Sequence, residues 1–162
     1  MAGGQGMLMA AEKKYNTIKR WTMNNEELRD LLETVRGVAV LGAKDVPGQP
    51  VDRVGRYLIR AGYTVIPVHP KRQSVWGLPA FASLADIPVA VDLVNVFRAP
   101  EYCAEHAREA LRLSPLPRLF WMQLGIANAE AVSLLAGQGV PVVEDACLMV
   151  EHARIFGLPH ID

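Results

Sequence analysis

Val38-Ala39-Val40-Leu41 is apolar at every position. A strand with one face in water alternates apolar and polar residues, so an unbroken run of this kind predicts a strand covered on both faces. Further strands, largely apolar, are read at Tyr63 to Val68, Asp92 to Phe97, Leu119 to Met122 and Val140 to Val143. Between them the apolar positions change to helical spacing. Asn24 with Glu27 forms a capping signal before Leu28, Leu31, Leu32 and Val35, a helix expected to end near Gly37. Pro50 opens a second helix with the stripe Val51, Val54, Leu58 and Ala61, which Gly62 stops. Cys103, Ala107, Ala110 and Leu111 mark a third after Pro100, Asn128 caps a fourth that closes at Gly137 or Gly139, and Leu148 to Ile155 forms the last. From His69 to Val91 the chain reads as irregular apart from a short helical turn at Ser83 to Ile87, because its Gly and Pro residues permit little regular structure.

Parallel neighbours need helical crossovers, and these are right-handed. The alternation therefore predicts one α/β domain, a doubly wound parallel sheet of about five strands flanked by helices, spanning residues 24–162. Residues 1–23 read as a loosely ordered N-terminal extension. Its run Met7-Leu8-Met9-Ala10-Ala11 is too short for a secretory core and passes straight into Glu12-Lys13-Lys14. No stretch reaches the roughly 18 apolar residues of a membrane span. Cys103 and Cys147 fit no metal or redox spacing and suit a reduced, cytoplasmic chain.

Seventeen Lys and Arg balance seventeen Asp and Glu. No overall field gathers nucleic acid or an anionic membrane, so an anion must be held by a local site. Trp21, Trp76 and Trp121 fall in the extension, a loop and a strand, and make no stacking platform for single-stranded nucleic acid. In a doubly wound sheet ligands bind outside the carboxyl ends of the strands. The candidate loops are thus Gly42-Ala43-Lys44, His69-Pro70-Lys71-Arg72, Arg98-Ala99-Pro100-Glu101, Gln123-Leu124-Gly125 and Asp145-Ala146-Cys147.

Gly42 lacks the companions of a full glycine-rich fingerprint and serves either a tight turn or a phosphate. The helix opening at Pro50, with Arg53 on its first turn, favours the phosphate. Dinucleotide folds place a carboxylate after the second strand to accept from the ribose hydroxyls. Here that position is basic. Lys71 and Arg72 are either solvated loop charges or partners of a ribose phosphate, the latter pointing to NADP or coenzyme A rather than NAD. Cys147, just before a helix, is either an inert packing residue or a thiolate favoured by the helix dipole. His152 and Glu151, adjacent on one helix, do not form an acid-base pair, and Cys103 lies on a core stripe.

Several segments together resemble the small CoA-binding-domain proteins, stand-alone relatives of the N-terminal domain of the succinyl-CoA synthetase alpha subunit. They are Val38 to Ala43, Pro50, Arg53-Val54, Arg56-Tyr57-Leu58, Gly62-Tyr63, Val65 to Val68 and Pro70, then Leu84 to Pro88, Val91 to Val94 and Val96-Phe97-Arg98, and finally Trp121 to Ile126 and Asp145 to His152. The resemblance implies a Rossmann-like domain. It places CoA phosphates at the glycine loop and helix start, adenosine beside His69-Pro70-Lys71, and pantetheine along Phe97-Arg98 and Gln123-Leu124-Gly125. Lys44 stands where the family often has a small hydroxyl residue, Gln49 where an Arg often precedes the proline, and His69 where Asn is common. No loop sets a nucleophile beside a base. The expectation is non-catalytic binding of coenzyme A or an acyl-CoA, with two alternatives: an NADP-binding oxidoreductase or redox sensor, and a subunit of a split acyl-CoA synthetase that meets an ATP-grasp partner.

Overall fold

The computed structural model describes residues 23–158, so the expectation for the N-terminal extension, apart from Met23, lies outside the described residues. The first helix, α1 (Asn25–Thr34), carries the expected capping box: the Asn24 side chain accepts from the Glu27 N–H, and the Glu27 carboxylate accepts from the Asn24 N–H. It stops before Gly37, which is instead the first residue of β1 (Gly37–Leu41). Then follow α2 (Pro50–Arg60), β2 (Thr64–Val68), β3 (Ser74–Val75), β4 (Leu78–Pro79), β5 (Leu93–Val96), α3 (Cys103–Leu111), β6 (Leu119–Met122), α4 (Ala129–Gly137), β7 (Val142–Val143) and α5 (Leu148–Phe156). Short 3₁₀ turns occupy Leu84–Asp86 and Pro100–Tyr102.

The main sheet has five strands in the order β2-β1-β5-β6-β7, all parallel. The direction of winding reverses between β1 and β5. Helices cover both faces, as the wholly buried burial patterns of β1, β5 and β6 require. On one face Leu28, Leu32, Val54, Leu58, Leu148 and Met149 from α1, α2 and α5 pack on Val38, Val40, Leu93 and Trp121. On the other, Cys103, Ala107, Ala110, Ala131 and Leu135 from α3 and α4 meet Ala39, Leu41, Val94, Val96, Phe120 and Met122.

The sequence reading needs four corrections. The stretch after His69 is not wholly irregular, since β3 and β4 form a two-stranded antiparallel hairpin. Ala61 is exposed at the end of α2, where Tyr57 takes the buried place expected for it. The last strand pairs only at Val142 and Val143, because Pro141 has no N–H to give the ladder. The last helix runs one residue further, to Phe156.

Trp76 fixes the hairpin to α2. Its backbone lies in the left-handed region at φ 54°, and its indole N–H donates to the buried Asp52 carboxylate at 2.9 Å, which also accepts from Arg56 Nε at 3.0 and 3.1 Å. The indole lies against Gly55 so closely that a Cβ there would sit 2.2 Å from the ring. A second link joins Phe81 to β2: the Phe81 N–H donates to the Pro67 carbonyl, and its carbonyl accepts from the His69 N–H.

At the amino-terminal end of the sheet, buried His152 lies between two tyrosines. Tyr57 Oη is 2.7 Å from Nδ1 and Tyr63 Oη 3.0 Å from Nε2, while the Tyr63 O–H donates to the Leu32 carbonyl at 3.3 Å. With its own proton so used, Tyr63 accepts from Nε2–H, which leaves Nδ1 to accept from Tyr57. The ring is therefore neutral, and burial holds its pKa below the ordinary value.

Two outcomes follow from these contacts. Gly55→Ala should destabilise the domain by about 1 to 3 kcal/mol despite alanine's better helix propensity, because the indole has to shift. Urea denaturation checks this, and combining it with Trp76→Leu should return part of the loss. For His152, the unfolded chain binds a proton below about pH 6.5 while the folded one does not. Stability is thus level above that pH and falls as pH drops through it. The loss in urea midpoint between pH 7.5 and 5.5 should shrink in His152→Gln; an unchanged loss assigns the pH dependence to other groups.

Candidate functional site

Strand polarity sends the loops after β1, β2 and β5 to one end of the sheet, at the point where winding reverses. A cleft of about 420 Å³ opens there, lined by Gly42, Lys44, Gln49, Pro50, Val51, His69, Phe97, Arg98, Ala99, Pro100 and Ile126. Its size is that of a small-molecule site. A larger groove of about 780 Å³, between α1 and α4 at the other end, is lined by Met23, Leu31, Val132 and Pro141 among others. The cleft, unlike that groove, gathers several charges of one sign at the strand ends where this fold binds ligands.

Gly42 makes the cleft possible. Its φ is +80°, and a Cβ would lie 2.3 Å from the Phe97 carbonyl oxygen. The Gly42 and Ala43 N–H groups both donate to the Val68 carbonyl, at 3.0 and 3.2 Å, and are thereby spent within the protein. The start of α2 offers little more. Pro50 has no N–H, and those of Asp52 and Arg53 turn back to the Gln49 carbonyl at 3.1 and 3.2 Å. Val51 is left as the first-turn donor on the cleft wall.

Side chains carry most of the attraction for an anion. His69 Nδ1 accepts from the Lys71 N–H at 3.0 Å, so the ring proton sits on Nε2 as a donor. Burial, then the surrounding Arg72, Lys44, Arg98 and Lys71 charges, hold the His69 pKa below its ordinary value. Those four cations thus act on one imidazole at the cleft. Arg72 is tied to Asp45 at 3.0 Å, and the Arg98 guanidinium lies 4.9 Å over the Tyr102 ring. Lys71 is exposed and has no ion-pair partner among the described residues.

Of the residues expected from sequence, Gly42, Lys44, Pro50, His69, Phe97 and Arg98 come together as cleft wall. Ala43 is buried beneath it, Arg53 is exposed on α2's first turn and does not line it, and Pro70, Lys71 and Arg72 follow His69 outside the lining, with Lys71 and Arg72 close enough for their charges to act on its ring. Gln123, Leu124, Gly125 and Cys147 do not line it. Gln123 is buried and accepts from the Leu148 N–H at 3.0 Å, which fixes the start of α5. Leu124 is exposed, and the Gly125 N–H donates to Asp145 Oδ1 at 2.7 Å. Cys147 is the half-buried N-cap of α5, packed on the core. Ala99 and Pro100, from the loop expected after the third strand, also line the cleft, whereas Val51 and Ile126 were not among the expected contacts, although each directly adjoins one of them.

An anion beside His69 raises its pKa from its depressed position, so binding should take up protons at acidic pH. In calorimetry of CoA binding in buffers of different ionisation enthalpy, His69→Asn should show less proton uptake than the native protein. Equal uptake places His69 away from the anion.

A family model for a CoA binding domain matches residues 36–153. The Bacillus subtilis (strain 168) protein YneT is 35% identical over 127 residues, 78% of this chain and 93% of its own. The solved structure of cell-free ID.343 from Thermus thermophilus is 45% identical with a TM-score of 0.78, covering 83% of this chain and all (100%) of that one. At 19% identity and a TM-score of 0.58, the dinucleotide-forming acetyl-coenzyme A synthetase 1 of Ca. Korarchaeum cryptofilum shares the fold, over 65% of this chain and 25% of that one. With a family model spanning most of its length, and a parallel sheet whose strand ends form a basic cleft, the chain belongs to the CoA binding domain family.

Proposed function

We propose that this protein binds coenzyme A or an acyl-CoA without transforming it. The observation that carries the reading is the meeting of Lys44, His69, Lys71, Arg72 and Arg98 at a cleft on the carboxyl ends of β1, β2 and β5, in a chain with no net charge. A ligand with several phosphates matches that concentration of positive charge. The donor set suits phosphate: an imidazole N–H, primary ammonium groups and guanidinium forks. In this reading Lys44 and the Val51 N–H face the diphosphate. Lys71 and Arg72 take the ribose phosphate, with Lys71 the larger contributor because Asp45 already neutralises Arg72. Phe97 and Ile126 give the pantetheine arm an apolar floor. Cys103 has its thiol pKa pushed up to about 11 by burial and Glu144, and is not a nucleophile.

Calorimetric titration with CoA, dephospho-CoA and NADP tests this. One charge-assisted contact is worth about 1.5 to 3 kcal/mol, so CoA should bind about ten- to a hundredfold more tightly than dephospho-CoA. Lys71→Ala should close most of that gap. Equal affinities for CoA and dephospho-CoA remove the role of the loop cations, and tighter binding of NADP than of CoA replaces this reading with the redox one.

A further inference from the structure

The groove of about 780 Å³ between α1 and α4 lies at the end of the sheet away from the cleft, and CoA binding makes no use of it. Leu31 from α1, Val132 from α4, and Val140 and Pro141 at the start of β7 give it an apolar floor. Glu27 and Asp30, three residues apart on α1, also line it and are exposed. Arg118, a cation on the same lining, lies 4.0 Å from Asp92. An apolar groove bordered by two carboxylates suits apolar side chains carried on a basic segment.

A segment of that chemistry is joined to the groove. Met23, where the described residues begin, lines the groove and packs on the core beneath it. Residues 1–22 hold four basic side chains, Lys13, Lys14, Lys19 and Arg20, against the single acid Glu12, so the rest of the chain holds thirteen Lys and Arg against sixteen Asp and Glu. The overall neutrality of the chain thus conceals a basic segment attached to an acidic domain. Leu8, Ala11, Tyr15, Ile18 and Trp21 recur at intervals of three and four, the spacing that gathers apolar side chains on one side of a helix. Two residues of chain span at most about 7 Å, so the Trp21 Cα lies within that distance of the Met23 Cα. The family match begins only at residue 36, and 83% of this chain covers the whole (100%) of the Thermus thermophilus one, so this chain carries length which that relative lacks.

We propose that the segment preceding Met23 seats in the groove of its own chain, with Trp21 and Ile18 on the apolar floor and Lys19 and Arg20 beside Glu27 and Asp30. It then ties α1 to α4, helices that pack on opposite faces of the sheet, across the start of the short edge strand β7. Attachment at Met23 keeps the segment at high effective concentration, so contacts too few to hold a separate peptide hold this one. The inference is independent of the CoA reading.

The test is acrylamide quenching of tryptophan emission in the full chain, read for Trp21 as the difference between the native protein and Trp21→Phe. At concentrations where sedimentation shows a monomer, Trp21 should be quenched about threefold less in the folded protein than in urea, as expected of an indole taken out of water. Val132→Lys, which puts an ammonium on the floor, should remove most of that protection. Asp30→Lys, at an exposed position, should do the same without disturbing the fold, and combining it with Lys19→Glu and Arg20→Glu should restore the protection. Trp21 quenched as readily in the native protein as in urea overturns the proposal, and so does protection that survives both Val132→Lys and Asp30→Lys. Protection lost on dilution together with a dimer also overturns it and gives the groove to a second copy of the chain.

Discussion

At the end of β1 the chain has to leave the sheet while passing the carbonyl of Phe97 on the neighbouring strand, and there is no room for a side chain. Gly42 meets the two demands together, a left-handed φ of +80° and a separation that would bring a Cβ to 2.3 Å from that oxygen. The turn is held from the other side as well, since the Gly42 and Ala43 amides both donate to Val68 on β2. Three strands are thus locked together at one residue. The cleft opens there, and Gly42 lines it together with Lys44, His69 and Arg98 from the surrounding loops. Any larger residue would strain the backbone and push β5 away from β1, and so spread the cations that the site brings together.

That gathering is itself held against repulsion. Like charges around one imidazole disfavour each other, and the protein answers with local counterweights. Asp45 accepts from Arg72 and also from the Trp76 N–H, linking the β2 loop to the hairpin, and the face of Tyr102 lies beneath Arg98. Lys71 has no such partner among the described residues. The residual positive field is thus set by the fold itself. Asp52, fully engaged by Arg56 and Trp76, keeps its own negative charge from opposing the site.

Much of this was legible in the sequence because the relevant signals are local. Largely apolar runs announced the five parallel strands, Asn24 and Asn128 announced the helix starts they cap, and the loop after Val68 supplies His69 to the cleft. The hairpin at Ser74–Pro79 was not legible, since two-residue strands carry no periodicity and its position depends on Trp76 meeting Gly55 across the chain. For the same reason Gln123 looked like a site residue. Its position in a loop at a strand end was correct, but its hydrogen bond to the Leu148 N–H, which makes it a helix anchor, is tertiary.

The two outermost strands of the sheet end in different ways, and together they decide how the protein behaves in a crowd. Along β2, Pro67 has no N–H to offer, while its carbonyl and the N–H of His69 are occupied by Phe81. Along β7 the ladder is two residues long, and Pro141 interrupts the chain just before it. Neither border leaves a row of free donors and acceptors long enough to template another chain. A sheet of such apolar strands, rich in valine, would be an aggregation hazard if its borders were open. The same segment that carries Phe81 therefore does two jobs, holding the His69 backbone by its N–H and keeping copies of the protein from adding to one another.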